Sequence, residues 1–390
     1  MTTDSSMQSI SSGKRLVSLD VFRGATIAAM ILVNNPGTWG AIYPPLRHAE
    51  CHGWTVTDLI FPFFLFIVGV SVVLAFTKAL EKGADRGDLV RKTVTRSAII
   101  FGLGLLMMGF PYVTFDPTFG LHSNLTGIRI MGVLQRIAIC YLVASLLFLY
   151  LKPRTIAIIS AGLLLAYWAM TMLIPVPGYG AGLIDQPHTT LTAWIDQLLI
   201  PEPHIYREGP YDPEGILSTI PAIATTLFGV FAGLILMSDR NSIEKTARLM
   251  LWGFLLATVG YVWNWFFPIN KAIWSSSYAI FTGGLAMQCF GASYWLIDVK
   301  DYRRFTRPFV VYGVNALIVF FVSGLLARTL VMIQIDTGDG PMSLQRLIFN
   351  NIFMPLGSEL NASLFYAITW IVLWYFVLSF MYKRKIIIKV

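Results

Sequence analysis

The stretch TDLIFPFFLFIVGVSVVLAFT, residues 57–77, decides the fold of this protein. As a helix it is long enough to cross the roughly 30 Å hydrocarbon core of a bilayer, and after Asp58 it carries no charged side chain. Similar stretches recur along the chain. Only 13% of the 390 residues are charged and 56% are hydrophobic, whereas a soluble domain is about 25% charged. The sequence therefore excludes a disordered chain and a soluble enzyme.

The pattern predicts an all-α integral membrane protein with about ten transmembrane helices. The predicted spans are residues 16–35, 57–77, 97–113, 128–150, 155–175, 216–236, 249–267, 275–297, 309–331 and 363–382. We interpret residues 1–15 as a short cytoplasmic tail and residues 16–390 as one transmembrane domain. The longest connection, about 176–215, is rich in Pro and Gly, and long loops of this kind are often lids or binding loops.

Lys and Arg residues predict the orientation of these spans, because cytoplasmic loops are enriched in positive charge. Most of the 29 basic residues fall in alternate connections when both termini are placed in the cytoplasm. The opposite, outer side keeps only Arg47, Arg207, Lys271, Arg328 and Arg346. The net charge of +8 is therefore a topology signal, and the scattered basic residues predict no nucleic-acid partner.

All five histidines fall in outer segments, and one of them has a carboxylate nearby in sequence. His48 precedes the second span, which opens with Asp58, and Asn34 ends the first span. A carboxylate beside an imidazole fixes its tautomer and stabilises the imidazolium, and an amide can donate to developing negative charge. Interfacial His and Asp are also common without catalysis. His48 and His52 lack a third ligand, so we predict no metal site.

Charged residues inside the spans are the second notable feature, since they are costly and usually paired or functional. Asp20 and Arg23 are three apart and predict an internal ion pair. Arg129 and Arg136, with Gln135 beside the second, are predicted to share one helix face. Either they bind an anion such as a phosphate, for which Arg is well suited, or they pair with acids of other helices such as Asp20.

Polar side chains also occur at later span ends. They either line a polar cavity or cap helices and bond across them. The residues in question are Asn264, Lys271, Ser276 and Asn315. Asp212 and Glu214 precede the sixth span and are candidate N-terminal helix anions.

Several blocks, taken together, resemble the heparan-α-glucosaminide N-acetyltransferase family of transmembrane acyltransferases, and especially its short bacterial, NagX-like members. The blocks are LDVFRG (19–24), LVN (32–34), RHA (47–49), TVTDLIFPFFLFIVG (55–69), RIMGVLQRIAICY (129–141), DPEGILSTI (212–220), PINKAIWSSSY (268–278) and GVN (313–315). The resemblance implies that His48 is the catalytic histidine, with Asp58 and Asn34 as its partners. Cys51 stands where the family usually has Trp, which bears on how the acceptor is held.

The resemblance further implies that acetyl-CoA from the cytoplasm donates an acetyl group to an amino sugar at the outer face. His48 would act as general base or as a transient acetyl carrier. The CoA contacts expected are Arg129, Gln135, Arg136, Asn264, Lys271, Ser276 and Asn315. A bacterial inner-membrane location, a homodimer and no metal are expected as well. A secondary transporter and an O-acyltransferase of envelope polysaccharide remain as alternatives.

Overall fold

The computed structural model describes residues 15–114, 120–338 and 340–388. The helices are α1 (Val17–Asn34), α2 (Val56–Glu81), α3 (Arg86–Gly109), α4 (Ser123–Thr126), α5 (Val133–Tyr150), α6 (Pro153–Leu173), α7 (Leu191–Leu199), α8 (Thr219–Met237), α9 (Ser242–Trp263), α10 (Ser276–Tyr294), α11 (Thr306–Val314), α12 (Ala316–Met332), α13 (Leu344–Ile348) and α14 (Glu359–Lys383). The strands β1 (Val113–Thr114), β2 (Gly120–Leu121), β3 (Gln334–Asp336) and β4 (Pro341–Ser343) form two antiparallel pairs. Apart from Arg15, the predicted N-terminal tail lies outside the described residues.

The described part of the chain is an all-α integral membrane protein. Eight of its helices are long and apolar enough to cross a membrane, and the bent pair α11 and α12 adds a ninth segment if it counts as one. The remaining predicted span, 97–113, overlaps α3, which ends at Gly109. The first part of α3 carries Arg91, Lys92 and Arg96, which leaves a shorter apolar stretch. The count of ten and the cytoplasmic placement of both termini remain predictions.

Two predicted spans differ from the observed helices. The fourth span starts at Val133 and not near 128, because Gly132 is extended at the helix N-cap. Arg129 therefore lies in the preceding loop, and its predicted place on one helix face with Arg136 is wrong. The predicted span 309–331 is broken at Asn315, where α11 and α12 meet at 79°. The Asn315 side chain there bonds the backbone of Ile386 and Ile388.

Glycines let two pairs of helices pack backbone to backbone. A Cβ on Gly69 of α2 would lie 2.0 Å from a carbonyl oxygen of α8, and one on Gly229 of α8 would lie 1.9 Å from a carbonyl of α2. Gly24 of α1 and Gly313 of α11 make the same kind of contact. Small residues at such positions are how membrane helices approach closely. The packing fixes α2, which carries the candidate site at its N-terminal end.

The long connection 176–215 is partly ordered as helix. It contains α7, whose N-cap Thr190 accepts from the backbone of Ala193. Asp196 of α7 is buried and accepts from the backbone N–H of Ile216, just before α8. The middle of the connection therefore docks onto the segment that leads into α8.

Candidate active site

His48 and Asp58 form the centre of the site. His48 Nδ1 lies 2.7 Å from Asp58 Oδ1. The Asp58 side chain is fully buried, whereas the His48 side chain is 53% exposed. A carboxylate beside Nδ1 favours the tautomer that carries its proton on Nδ1, which makes Nε2, 3.3 Å from Lys271 Nζ, the basic nitrogen. A half-exposed imidazole oriented by a buried carboxylate is suited to taking a proton from a substrate.

The start of α2 holds Asp58 in place. Asp58 and the N-cap Thr55 form a capping box, in which each bonds the backbone of the other. Asp58 Oδ2 also accepts from the backbone N–H of Ala49, next to His48, at 2.9 Å. The hydroxyl of Tyr278 on α10 donates to the Asp58 carbonyl at 2.5 Å. The local sequence T-V-T-D thus fixes the helix start and the carboxylate together.

Lys271 is the third member of the cluster. Its Nζ lies 2.8 Å from His48 Nδ1 and 3.4 Å from Asp58 Oδ1. Burial lowers the pKa of Lys271, and the charge of Asp58 counteracts this by raising it. The sequence suggested a contact with CoA phosphates for this residue, but the structure places it against the histidine–aspartate pair. Its ammonium offsets the Asp58 charge and lies beside the His48 imidazole.

We expect replacement of Lys271 to move the pH dependence of the protein's activity. In Lys271→Met, the histidine–aspartate pair loses its neighbouring positive charge, so the acid limb of the pH–rate profile should move to higher pH. Lys271→Arg keeps the charge and should leave the limb in place. The measurement is kcat/KM against pH for the three proteins, and superimposable profiles for all of them would contradict this role.

A second histidine–aspartate contact joins the site to the long outer connection. His52 Nε2 lies 2.9 Å from Asp185 Oδ1, and Asn270 Nδ2 lies 3.4 Å from His52 Nδ1. The Cys51 thiol donates to the Asp185 carbonyl at 2.8 Å. Both nitrogens of His52 are thereby engaged. Cys51 and His52 therefore hold the outer connection against the loop that carries His48.

Asn34 is placed differently from the pair. It is exposed at the C-terminal end of α1 and lines a cavity of about 1040 Å³. Within the described residues, the structure shows no hydrogen bond between Asn34 and His48. Arg129, Arg328 and Arg346 line the same cavity.

A smaller cavity of about 370 Å³ lies further along the same helices. Its lining includes Arg23, Arg96, Ser71 and Asn315. Both cavities are lined by α1, α3 and the region of α12. Arg23 and Asn34 are eleven residues apart on α1, or about 16 Å at the helical rise. The two cavities thus follow one another along one set of helices.

Arg129 is held in a buried ion-pair cluster. It bonds both oxygens of Asp212, at 2.8 and 2.5 Å, and Glu214 at 2.5 Å. Burial raises the pKa of Glu214, but the charge of Arg129 outweighs this and the pKa is lowered. The sequence left two interpretations open for Arg129, which were anion binding and pairing with acids elsewhere in the chain. The structure shows pairing, although not with Asp20. Asp20 instead pairs with Arg15 and Arg23.

We expect the Arg129 cluster to be essential for stability. Arg129→Gln leaves Asp212 and Glu214 buried without their counter-charge, and breaking a buried pair in this way costs about 3–5 kcal/mol. The thermal unfolding temperature of the detergent-solubilised protein should therefore fall sharply. Arg207→Gln, at an exposed arginine of the same loop region, is the matched control. Equal unfolding temperatures for the two variants would refute this prediction.

The other residues expected to contact CoA are engaged in internal packing. Arg136 is fully buried, donates to the Gly215 carbonyl at 3.1 Å and to Ser218, and lies over the Trp274 ring. Gln135, beside it, is fully buried as well. Asn264 accepts from the backbone of Ile269, and Ser276 donates to the Leu164 carbonyl. Of the seven expected contacts, Arg129 and Asn315 line a cavity.

Buried Asp196 predicts a pH dependence of stability. Burial raises its pKa to about 7, against the opposing effect of the Ile216 N–H bond. A raised pKa means that the fold favours the neutral carboxyl, so this contribution is complete below about pH 4 and is lost as the pH rises through about 7. We expect Asp196→Asn to flatten the decline in unfolding temperature between pH 5 and 8. An unchanged slope would contradict this.

No group of three or more His, Cys, Asp or Glu side chains is arranged to hold a metal ion within residues 15–114, 120–338 and 340–388. The histidine–aspartate cluster itself offers an imidazole, a carboxylate and an ammonium group.

The fold and the site together define a polytopic membrane protein with a histidine–aspartate pair at one end of its helices. A family model described as "Heparan-alpha-glucosaminide N-acetyltransferase, catalytic" matches residues 15–260. The heparan-alpha-glucosaminide N-acetyltransferase of Mus musculus is 30% identical over 362 residues, covering 80% of this chain and 53% of that protein. The Homo sapiens protein is 30% identical over 358 residues, with 78% and 52% covered. The chain belongs to the heparan-α-glucosaminide N-acetyltransferase family, and it spans about half the length of the curated relatives it matches.

Proposed function

We propose that the protein is a membrane acetyltransferase that moves the acetyl group of acetyl-CoA to the amine of an amino sugar of the glucosamine type. The observation that carries the proposal is the pairing of a half-exposed His48 with a buried, multiply bonded Asp58. The name of the two relatives, which specifies N-acetyl transfer to a glucosaminide, supports the reaction class.

In the proposed reaction, the acceptor amine attacks the thioester carbonyl while His48 Nε2 takes a proton from the amine. Asp58 keeps the proton of Nδ1 in place and stabilises the imidazolium that forms. Collapse of the tetrahedral intermediate breaks the carbon–sulfur bond, and the imidazolium returns its proton to the leaving CoA thiolate. Asn34 is proposed to polarise the thioester carbonyl from the larger cavity, and Lys271 to offset the charge of Asp58 beside the imidazole.

We propose that CoA enters through the smaller cavity. Arg23 and Arg96 line it, and guanidinium groups suit phosphate recognition. Arg23 bonds Asp20 and Ser71 and keeps further N–H donors. Asn315 lines the same cavity. The succession of the two cavities along α1 supports a CoA molecule whose phosphates lie at Arg23 while its thioester reaches the region of Asn34 and Arg129. On the predicted topology, the phosphate end faces the cytoplasm.

The cavity contacts proposed for CoA thus differ from those expected from sequence. Gln135, Arg136, Asn264 and Ser276 are engaged in packing, while Arg23 and Arg96 take the phosphate role. The spacing of Arg23 and Asp20 in the sequence predicted an ion pair and did not indicate a contact with phosphate. Arg96 is the last cation before the apolar part of α3.

The test is acetyl transfer by the purified full chain with labelled acetyl-CoA and glucosamine, followed by product identification. N-acetylglucosamine as product is the expected result. Transfer to hydroxyl groups alone would favour an O-acyltransferase, and uptake of sugar into liposomes without any transfer would favour a transporter. Trapping an acetyl group on His48 would establish the two-step route through an acetyl-histidine.

A further inference from the structure

A third cavity, of about 570 Å³, lies away from the histidine–aspartate pair. Its walls are α6 and α9, and α8 and α10 contribute its floor. Along α6 the cavity is lined by the small side chains of Ala157, Ser160 and Ala161. The apolar residues that face them include Phe231 and Leu256. We call it the α6–α9 cavity. Neither the reaction nor the CoA path proposed above uses it.

Two arginines lie at the end of the α6–α9 cavity that is predicted to face the cytoplasm. Arg240 precedes α9 and Arg248 is on its second turn, and both line the cavity. Both share a single carboxylate, Glu244, so the mouth keeps an excess positive charge. Each guanidinium has five N–H donors, and one bond to Glu244 is recorded for each. Donors are therefore left for an anion at the mouth of an otherwise apolar space.

Two further observations concern the interior and the opening of the cavity. Ser160 is 3% exposed, and its hydroxyl has no hydrogen-bond partner among the described residues. A buried hydroxyl of this kind is normally satisfied. Beside the walls, Leu165 of α6 and Leu251 of α9 are exposed, so the cavity adjoins the membrane-facing surface. An ester carbonyl inside the cavity would give the Ser160 hydroxyl an acceptor.

We propose that the α6–α9 cavity is a binding site for one anionic phospholipid. The phosphate bonds Arg240 and Arg248, an ester carbonyl accepts from Ser160, and an acyl chain occupies the apolar space between α6 and α9. Charge at the mouth selects an anionic headgroup over a zwitterionic one, since each Lys or Arg near a membrane surface contributes about 1 kcal/mol toward anionic lipid.

The experiment is native mass spectrometry of the delipidated full chain with phosphatidylglycerol or with phosphatidylcholine of the same acyl chains. The wild type should retain one phosphatidylglycerol per protomer about tenfold more strongly than phosphatidylcholine. Joint replacement Arg240→Gln and Arg248→Gln should reduce phosphatidylglycerol to the phosphatidylcholine level. Arg303→Gln is the matched control, because Arg303 is also ion-paired, to Asp301, on the same predicted side.

Filling the cavity tests the acyl-chain part of the proposal. Ala161→Trp, and the milder Ala157→Leu in case the first variant unfolds, should reduce retention of both lipids. Leu373→Trp, on an exposed face of α14, should not. Equal retention of the two lipids by the wild type, or unchanged retention in the arginine and cavity variants, would overturn the proposal. A change of oligomeric state in Ala161→Trp with lipid retention unaltered would also overturn it and would assign the cavity to a second copy of the chain. None of these readouts depends on acetyl transfer.

Discussion

His48→Ala should lower the rate of acetyl transfer about a thousandfold or more. General-base catalysis by a positioned side chain contributes typically 10²–10⁴-fold, and His48 is the imidazole that Asp58 contacts. The measurement is kcat with saturating acetyl-CoA and glucosamine. His48 is half exposed, so its removal leaves no cavity in the core, and the variant should fold normally.

Two further measurements serve as controls for the His48→Ala prediction. CoA binding, measured by calorimetry, should be nearly the same in His48→Ala and in the wild type, because the proposed phosphate contacts lie along α1 at Arg23 and not at His48. His188→Ala is the matched control, since His188 is an exposed histidine of the outer connection; its kcat should be unchanged. Near-normal turnover in His48→Ala would remove the imidazole from the mechanism.

Asp58→Asn should reduce kcat by about 10²–10⁴-fold while leaving the protein folded. An amide has almost the same shape, but it offers His48 an N–H donor or a weaker acceptor and no longer enforces the Nδ1–H tautomer, a change that is costly in hydrolases with the same pairing. The loss should fall mainly on kcat and not on KM for either substrate, because the carboxylate acts through the imidazole.

The capping role of Asp58 requires its own control. Asp58 also closes the capping box with Thr55, so a frayed α2 would lower the activity as well. The unfolding temperature separates these two causes. Asp85→Asn at the N-cap of α3, where the carboxylate accepts from Gly87, measures the cost of a cap alone. If Asp58→Asn retains activity within tenfold of the wild type, the pairing seen in the structure does not orient the base.

The sequence predicted the helical membrane architecture well because each apolar stretch is a local property. The sequence also indicated that His48 and Asp58 lie close together, because only ten residues separate them and Asp58 is in the first turn of a helix. The sequence did not predict the break at Asn315, because the break depends on hydrogen bonds to the backbone of Ile386 and Ile388, far along the chain.

Long-range contacts explain the remaining differences at the site. Lys271 reaches the pair from a connection more than two hundred residues away, so its sequence position on the predicted outer side indicated only that it was unusual. Arg129 pairs with Asp212 and Glu214, which lie more than eighty residues further along the chain. In both cases the residue type indicated that a partner was needed, and only the tertiary fold identified the partner.

The most direct test of the account is transfer across a sealed membrane. Proteoliposomes would carry acetyl-CoA on the side of Arg23 and Arg96 and glucosamine on the side of His48, with orientation established by protease accessibility of the tail. The account predicts N-acetylglucosamine in the glucosamine compartment and free CoA in the other, with both lost in His48→Ala. Transfer only when both substrates share one compartment, or equal product from His48→Ala, would contradict it.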